Sequence, residues 1–139
     1  MAPVGWPPAG RLILDAGGVL ALARQDPRAR LILSTASQRG YHVVIPAVIV
    51  AQVYRPGPRN AGVHRILKLI RTVEAADEPL ARSAGALLAA TSTTDAVDAL
   101  VAAHALASLP SAILTSDPVD LGALVAIGAG HPRVSVIRV

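Results

Sequence analysis

The stretch RLILDAGGVLALAR, residues 11–24, decides the fold. Arg11 to Leu14 is a short aliphatic run, read as a strand buried on both faces. Asp15 stands at its carboxyl end. The next three residues, Ala16, Gly17 and Gly18, start a helix poorly, so a purely structural role for Asp15 is hard to supply. The helix proper is expected from about Gly18 to Arg24. The run has the look of a secretion signal, but Asp15 interrupts its apolar part and no basic residue precedes Arg11. Residues 1–10, with Pro3, Pro7 and Pro8, are expected to form a flexible lead-in, and residues 11–139 a single domain.

Outward from this stretch, short aliphatic runs alternate with longer Ala-rich ones. Strands are predicted at Tyr41 to Ile45, Ser111 to Leu114 and Arg133 to Ile137, with a short one at Arg71 to Glu74. Asp26 caps a helix that has Pro27 at its first position and runs to Gln38, where Gly40 stops it. Further helices are predicted from Pro46 to Arg55, Asn60 to Ile70, Asp77 to Ala90 and Asp95 to Ser108. Asp117 opens the last one. PGPRN (56–60) is a turn and TSTT (91–94) a polar break. Strands alternating with helices specify an α/β domain with a mainly parallel sheet. Such sheets bind ligands outside the carboxyl ends of their strands.

The composition narrows the function classes. At 139 residues the chain suits one domain with its own core. With 53% hydrophobic residues it is not a disordered chain. Phe is absent and aromatics make up 2%, so the core is built from Ala, Val, Leu and Ile. No Cys is present, which excludes disulfides and thiolate metal sites and suits a cytoplasmic location. No apolar run reaches the roughly 18 residues of a membrane span. The net charge is +4, and 12 of the 13 basic residues are Arg. Arg grips phosphates through paired hydrogen bonds, but a GC-rich genome gives the same composition.

Against that basic background there are nine carboxylates, and five fall at strand ends or helix starts. Asp15 ends the first strand. Asp117 lies just beyond ILTS, and Asp120 follows three residues later. Asp95 and Asp98 share one face of a helix's first turn. Parallel strands bring Asp15 and Asp117 to one edge. Clustered like charges repel unless a cation or a raised pKa relieves them. Hard divalent cations take such oxygen ligands, and Mg²⁺ needs only one or two direct carboxylates. Structural readings stand beside these: Asp95 and Asp98 as a capping pair, Asp117 as a turn or cap residue, Asp120 as a dipole-favoured surface acid. His104 lies six residues after Asp98, roughly 240° around the helix, and should not join the acids.

The order LILDAGGVLAL (12–22), IPAVIVAQVYR (45–55), TTDAVDALVAAHAL (93–106) and ILTSDPVDL (113–121) resembles the PIN-domain family, in particular VapC-type toxins of actinobacteria. The resemblance spans Arg11 to Val139. It implies a three-layer α/β/α sandwich and a Mg²⁺- or Mn²⁺-dependent endoribonuclease that leaves a 5′-phosphate and a 3′-hydroxyl. It implies Asp15, Asp98 and Asp117 as catalytic metal ligands, with Asp95 and Asp120 as accessory acids. The family usually carries Glu where this chain has Gln52, and many relatives carry Ser or Thr where it has Gly17. The amide of Gln52 can accept a hydrogen bond but brings no charge. Thr115 or Ser116 is placed to orient Asp117 or a water. Arg55, one helical turn after Gln52, is a candidate phosphate contact.

The expected partners are an RNA substrate, a cognate antitoxin protein and a second copy of the chain in a homodimer. The apolar residues Val48, Ile49, Val63, Ile66, Leu67 and Ile70 are candidates for the antitoxin groove. Two other readings remain. One is a catalytically weak PIN-like binding module, which Gln52 favours. The other is a haloacid-dehalogenase-type phosphatase, since LILDAGGVL resembles that family's first motif; its second acid would be expected at Gly17.

Overall fold

The computed structural model describes residues 10–129 and 133–139, Ala129 by its backbone alone. Apart from Gly10, the lead-in expected over residues 1–10 lies outside them. Among the described residues five strands form one sheet: β1 (Arg11–Leu14), β2 (His42–Pro46), β3 (Val73–Glu74), β4 (Ser111–Thr115) and β5 (Val134–Arg138). Their order is β3-β2-β1-β4-β5 and every pairing is parallel. Helices α1 (Ala16–Ala23), α2 (Pro27–Gln38), α3 (Ala47–Val53), α4 (Ala61–Ile70), α5 (Glu78–Ala90), α6 (Ala96–Leu106) and α7 (Pro118–Ala129) connect them. This is the α/β/α sandwich expected, with a wholly parallel sheet.

The chain leaves β1 toward β2 and β3, then returns across the sheet to β4 and β5. Parallel crossovers are right-handed, so the reversal of direction sends helices to opposite faces. Accordingly α1 packs with α2, α3 and α4, while α5, α6 and α7 pack with one another. The reversal falls between β1 and β4, and the crevice at their carboxyl ends is the topological switch point.

Burial on both faces explains why β1 has no polar alternation. Leu12, Ile13 and Leu14 are fully buried, as are Ala112, Ile113 and Leu114 in β4. Each large aliphatic side chain taken from water contributes about 1.5–3 kcal/mol. In α6, Ala99, Ala102, Ala103 and Ala105 are buried, and such small side chains let the helix lie close to the sheet. Ile49, Val63 and Ile66 are core residues, and Val48, Leu67 and Ile70 pack against that core. Three of the six candidates for a partner groove are thus taken up by the core, and the other three are half-buried against it.

Capping follows the sequence signals at three helices. Asp26 accepts from Ala29 N, Asp77 from Leu80 N, and Asp95 from both Val97 N and Asp98 N. Asn60 precedes α4 but makes no side-chain cap bond. Gly40, at φ 76°, takes the left-handed conformation that ends α2. Helix α1 begins at Ala16, earlier than the glycines suggested. The reason is contact: a Cβ on Gly18 would stand 2.6 Å from the Leu114 carbonyl oxygen. The bare backbone lets α1 start directly on β4. Gly18→Ala is therefore expected to destabilise the fold by about 1–3 kcal/mol through overpacking. The same change in an open helix gains up to about 1 kcal/mol. Urea denaturation gives the sign.

Candidate active site

Asp15 is the N-cap residue of α1, yet its side chain makes no cap bond. It turns instead to β4, where Thr115 Oγ1 donates to Asp15 Oδ2 at 2.8 Å. The same Thr115 oxygen accepts from Asp117 N at 3.0 Å. Asp15 N donates to the Leu114 carbonyl at 3.0 Å, which closes the crevice between the two strand ends. Asp15 is 7% exposed, and Thr115 is fully buried. Thr115 thus has a defined part: it orients the Asp15 carboxylate and the backbone of Asp117. The sequence connects it to Asp117, two residues on, but not to Asp15, a hundred positions away. Gly17 presses on this corner, since a Cβ there would lie 2.5 Å from Ser116 N. A Ser or Thr at that position does not fit without a shift of β4's end.

The remaining acids approach from α6 and α7. The Asp98 pKa is pushed up from 3.8 to about 6, first by partial burial and then by the charges of Asp95, Asp15, Asp117 and Asp120. The charges of the other four carboxylates singled out in the sequence thus all reach Asp98. Among the described residues no three acidic or histidine side chains stand close enough to form a ready-made chelate. The arrangement is an open acidic cluster rather than a closed cage.

Other residues singled out in the sequence sit on or just beyond α3 and on α6. Gln52 is exposed on α3, a helix that packs against both α1 and α6. Arg55 folds back on its own helix end, donating to the carbonyls of Ala51 (3.2 Å) and Tyr54 (2.6 Å). Its guanidinium thus binds carbonyls at the end of its own helix in this conformation. His104 stays apart from them, as its angle on α6 requires. It is buried, and its Nδ1 donates to Glu74 Oε1 at 2.7 Å. Arg11 donates to the other Glu74 oxygen. Burial raises the Glu74 pKa, but the Arg11 and His104 hydrogen bonds outweigh it and hold the carboxyl below its ordinary value. This triad ties the edge strand β3 to β1 and α6, and the sequence offered no sign of it.

A separate groove of about 540 Å³ runs between α1, α2 and α4, lined by Leu22, Leu33, Ile66 and Leu69 with Arg30 and Arg65 among its polar residues. No helix among the described residues is long and apolar enough to cross a membrane.

No protein-family model matches the chain, and no curated protein matches it. Solved structures do. A chain of VapBC2 from Rickettsia felis, bound to a DNA fragment from their promoter, superimposes with a TM-score of 0.70 at 11% identity, covering 92% of this chain and 98% of that one. A chain of FitAcB from Neisseria gonorrhoeae does so with a TM-score of 0.63 at 18% identity, covering 91% and 96%. At these identities the likeness is one of fold, and the fold is PIN-like along nearly the whole of each chain.

The electrostatics carry a stability prediction. An acid whose folded pKa lies above its unfolded value is most favourable to folding when protonated in both states. That contribution is intact below pH 3.8 and is lost as pH rises through about 6. Asp98→Asn should therefore raise stability near neutral pH by roughly 1 kcal/mol, screening having reduced the effect at a partly exposed group. It should change little at about pH 4. Thermal melts at both pH values in EDTA are the check, and an unchanged or lowered neutral-pH midpoint contradicts the clustered-charge picture.

Proposed function

We propose that the chain is a metal-dependent endoribonuclease, the toxin component of a type II toxin–antitoxin system, which hydrolyses RNA phosphodiester bonds. The observation that carries this reading is the cluster of five carboxylates at the switch point of a basic protein, where their mutual repulsion falls on Asp98. The resemblance to VapC-type toxins and the PIN-like fold shared with chains of VapBC2 and FitAcB support it.

Asp15, Asp98 and Asp117 are the assigned ligands of Mg²⁺ or Mn²⁺. The donor set fits: all its atoms are oxygens, and a divalent cation relieves the repulsion among them. An open cluster also fits, because Mg²⁺ keeps several waters and asks for only one or two direct carboxylates. When bound, such an ion lowers the pKa of a water and offsets charge on the phosphate. The chain's own residues do the positioning. Thr115 engages one Asp15 oxygen and leaves the other for a ligand. Asp95 commits Oδ1 to its cap and keeps Oδ2 for accepting protons from nearby waters. Asp120, in the first turn of α7, adds negative charge. Gln52 offers an amide oxygen without charge. The partners under this reading are an RNA substrate, a cognate antitoxin and a second copy of the chain, and the location is the cytoplasm.

A second reading, a catalytically weak PIN-like binding module, is favoured by exposed Gln52 and by the lack of a ready-made three-donor group among the described residues. The phosphatase reading fares worse, since an acid at position 17 would drive a Cβ into Ser116.

Cleavage of an end-labelled single-stranded RNA in Mn²⁺ or Mg²⁺ tests the proposal. Asp15→Asn should lower the rate by at least about 100-fold, because several kcal/mol of metal-derived stabilisation depend on that carboxylate. Its melting profile should stay two-state, as the amide oxygen can still accept from Thr115. Full activity in this variant would refute the assignment. Gln52→Glu should tighten Mn²⁺ binding by about tenfold, since added ligand charge strengthens such sites. No metal binding at millimolar concentration in either chain selects the binding-module reading.

A further inference from the structure

We infer that Arg28 and Arg138 form a phosphate clamp on the β5 side of the acid cluster, holding the RNA strand beside the phosphodiester presented to Asp15, Asp98 and Asp117. The inference rests on the nuclease reading for its substrate and goes beyond it in naming where that substrate lies.

Strand register places the clamp. Arg138 is the Cα partner of Thr115, the residue that orients Asp15 and Asp117. Paired residues on adjacent strands project to the same face, so the Arg138 side chain leaves the sheet on the side to which Thr115 points. Arg28, in the first turn of α2, reaches the same spot: its Nε donates to the Arg138 carbonyl oxygen at 2.8 Å. The Arg28 guanidinium thus lies against the backbone from which the Arg138 side chain springs, one strand away from β4, and both residues are exposed.

Neither arginine has a carboxylate partner among the described residues, where the Arg–carboxylate pairs are Arg11–Glu74 and Arg82–Glu78. The acids outside the cluster are committed elsewhere, Asp26 and Asp77 as caps and Glu74 and Glu78 in those pairs. The Nε bond uses one of five donors on Arg28, leaving its fork available. The position of Arg28 is itself unfavourable for the fold. A helix N-terminus carries partial positive charge and prefers acids; α2 has Asp26 at its cap but a cation, Arg28, in its first turn. A cation kept against the dipole and beside an acid cluster suits a ligand that presents phosphates in series, which a planar guanidinium grips through two parallel hydrogen bonds. The opposite side of the crevice offers less: Arg55 is engaged by its own helix and Gln52 is neutral.

The test is binding of a fluorescently labelled single-stranded RNA in EDTA across a salt series, with Mn²⁺-dependent cleavage of the same RNA measured separately. Arg138→Ala and Arg28→Glu should each weaken binding by about tenfold. Each should also reduce the slope of log K against log salt by about 0.7 for every phosphate that the variant no longer neutralises. Arg28→Glu also loses the bond to the Arg138 carbonyl oxygen, whereas Arg138→Ala keeps that carbonyl, so Arg138→Ala, checked by a parental melt, separates a binding loss from misfolding. Arg82→Ala, whose charge is already paired with Glu78, should keep the parental slope. Parental slopes in both clamp variants overturn the clamp and leave the nuclease reading standing if cleavage persists. Reduced slopes with no cleavage by the parent chain support the clamp and sink the nuclease reading. A parent chain that does not bind the RNA overturns the clamp.

Discussion

The hydroxyl of Thr115 holds together two strand ends that the chain reaches a hundred residues apart. It donates to the Asp15 carboxylate and accepts from the Asp117 backbone. A buried carboxylate without such a partner is costly. With the hydroxyl in place, Asp15 sits 7% exposed at the exit of an apolar strand and keeps one oxygen uncommitted. The close approach of α1 to β4 at Gly17 and Gly18 depends on the same corner, since any Cβ there meets backbone atoms of Leu114 or Ser116. Sheet closure, the helix start and the aim of the central acid are therefore one constraint seen from three sides.

Charge is distributed to match. Four acids act by charge on a fifth, Asp98, near the switch point, and the other four of the nine serve as caps or in ion pairs. With 13 basic residues against nine acids, positive charge is left in excess away from the cluster. Such segregation costs stability through repulsion within each patch, and its natural counterpart is a ligand carrying both demands, a cation for the acids and phosphates for the arginines. A fold selected only for stability would interleave the signs. The Arg11–Glu74–His104 triad shows that this chain can pair charges closely where structure alone is at stake.

Much of the architecture was legible because it depends on local pattern. The apolar run before Asp15, the Asp26-Pro27 cap, Gly40 and the alternation of strand with helix place most elements within a few residues of where they are found. The positions of Asp15 and Asp117 at one edge followed from parallel topology. Errors arose where tertiary contact overrode local preference. Glycines that should delay α1 instead permit it, because the sheet leaves no room for a Cβ. Ile49, Val63 and Ile66, which looked surplus, help to fill a core lacking large aromatic side chains.

The sequence by itself determined the α/β class, the strand that ends in Asp15 and the set of five acids, since periodicity and the ends of apolar runs are encoded residue by residue. Only the tertiary structure decided which of those acids feel one another, what Thr115 holds, and that Arg28 meets Arg138. Those are relations between residues as many as 110 positions apart, fixed by strand order and register, and no local pattern in the chain specifies them.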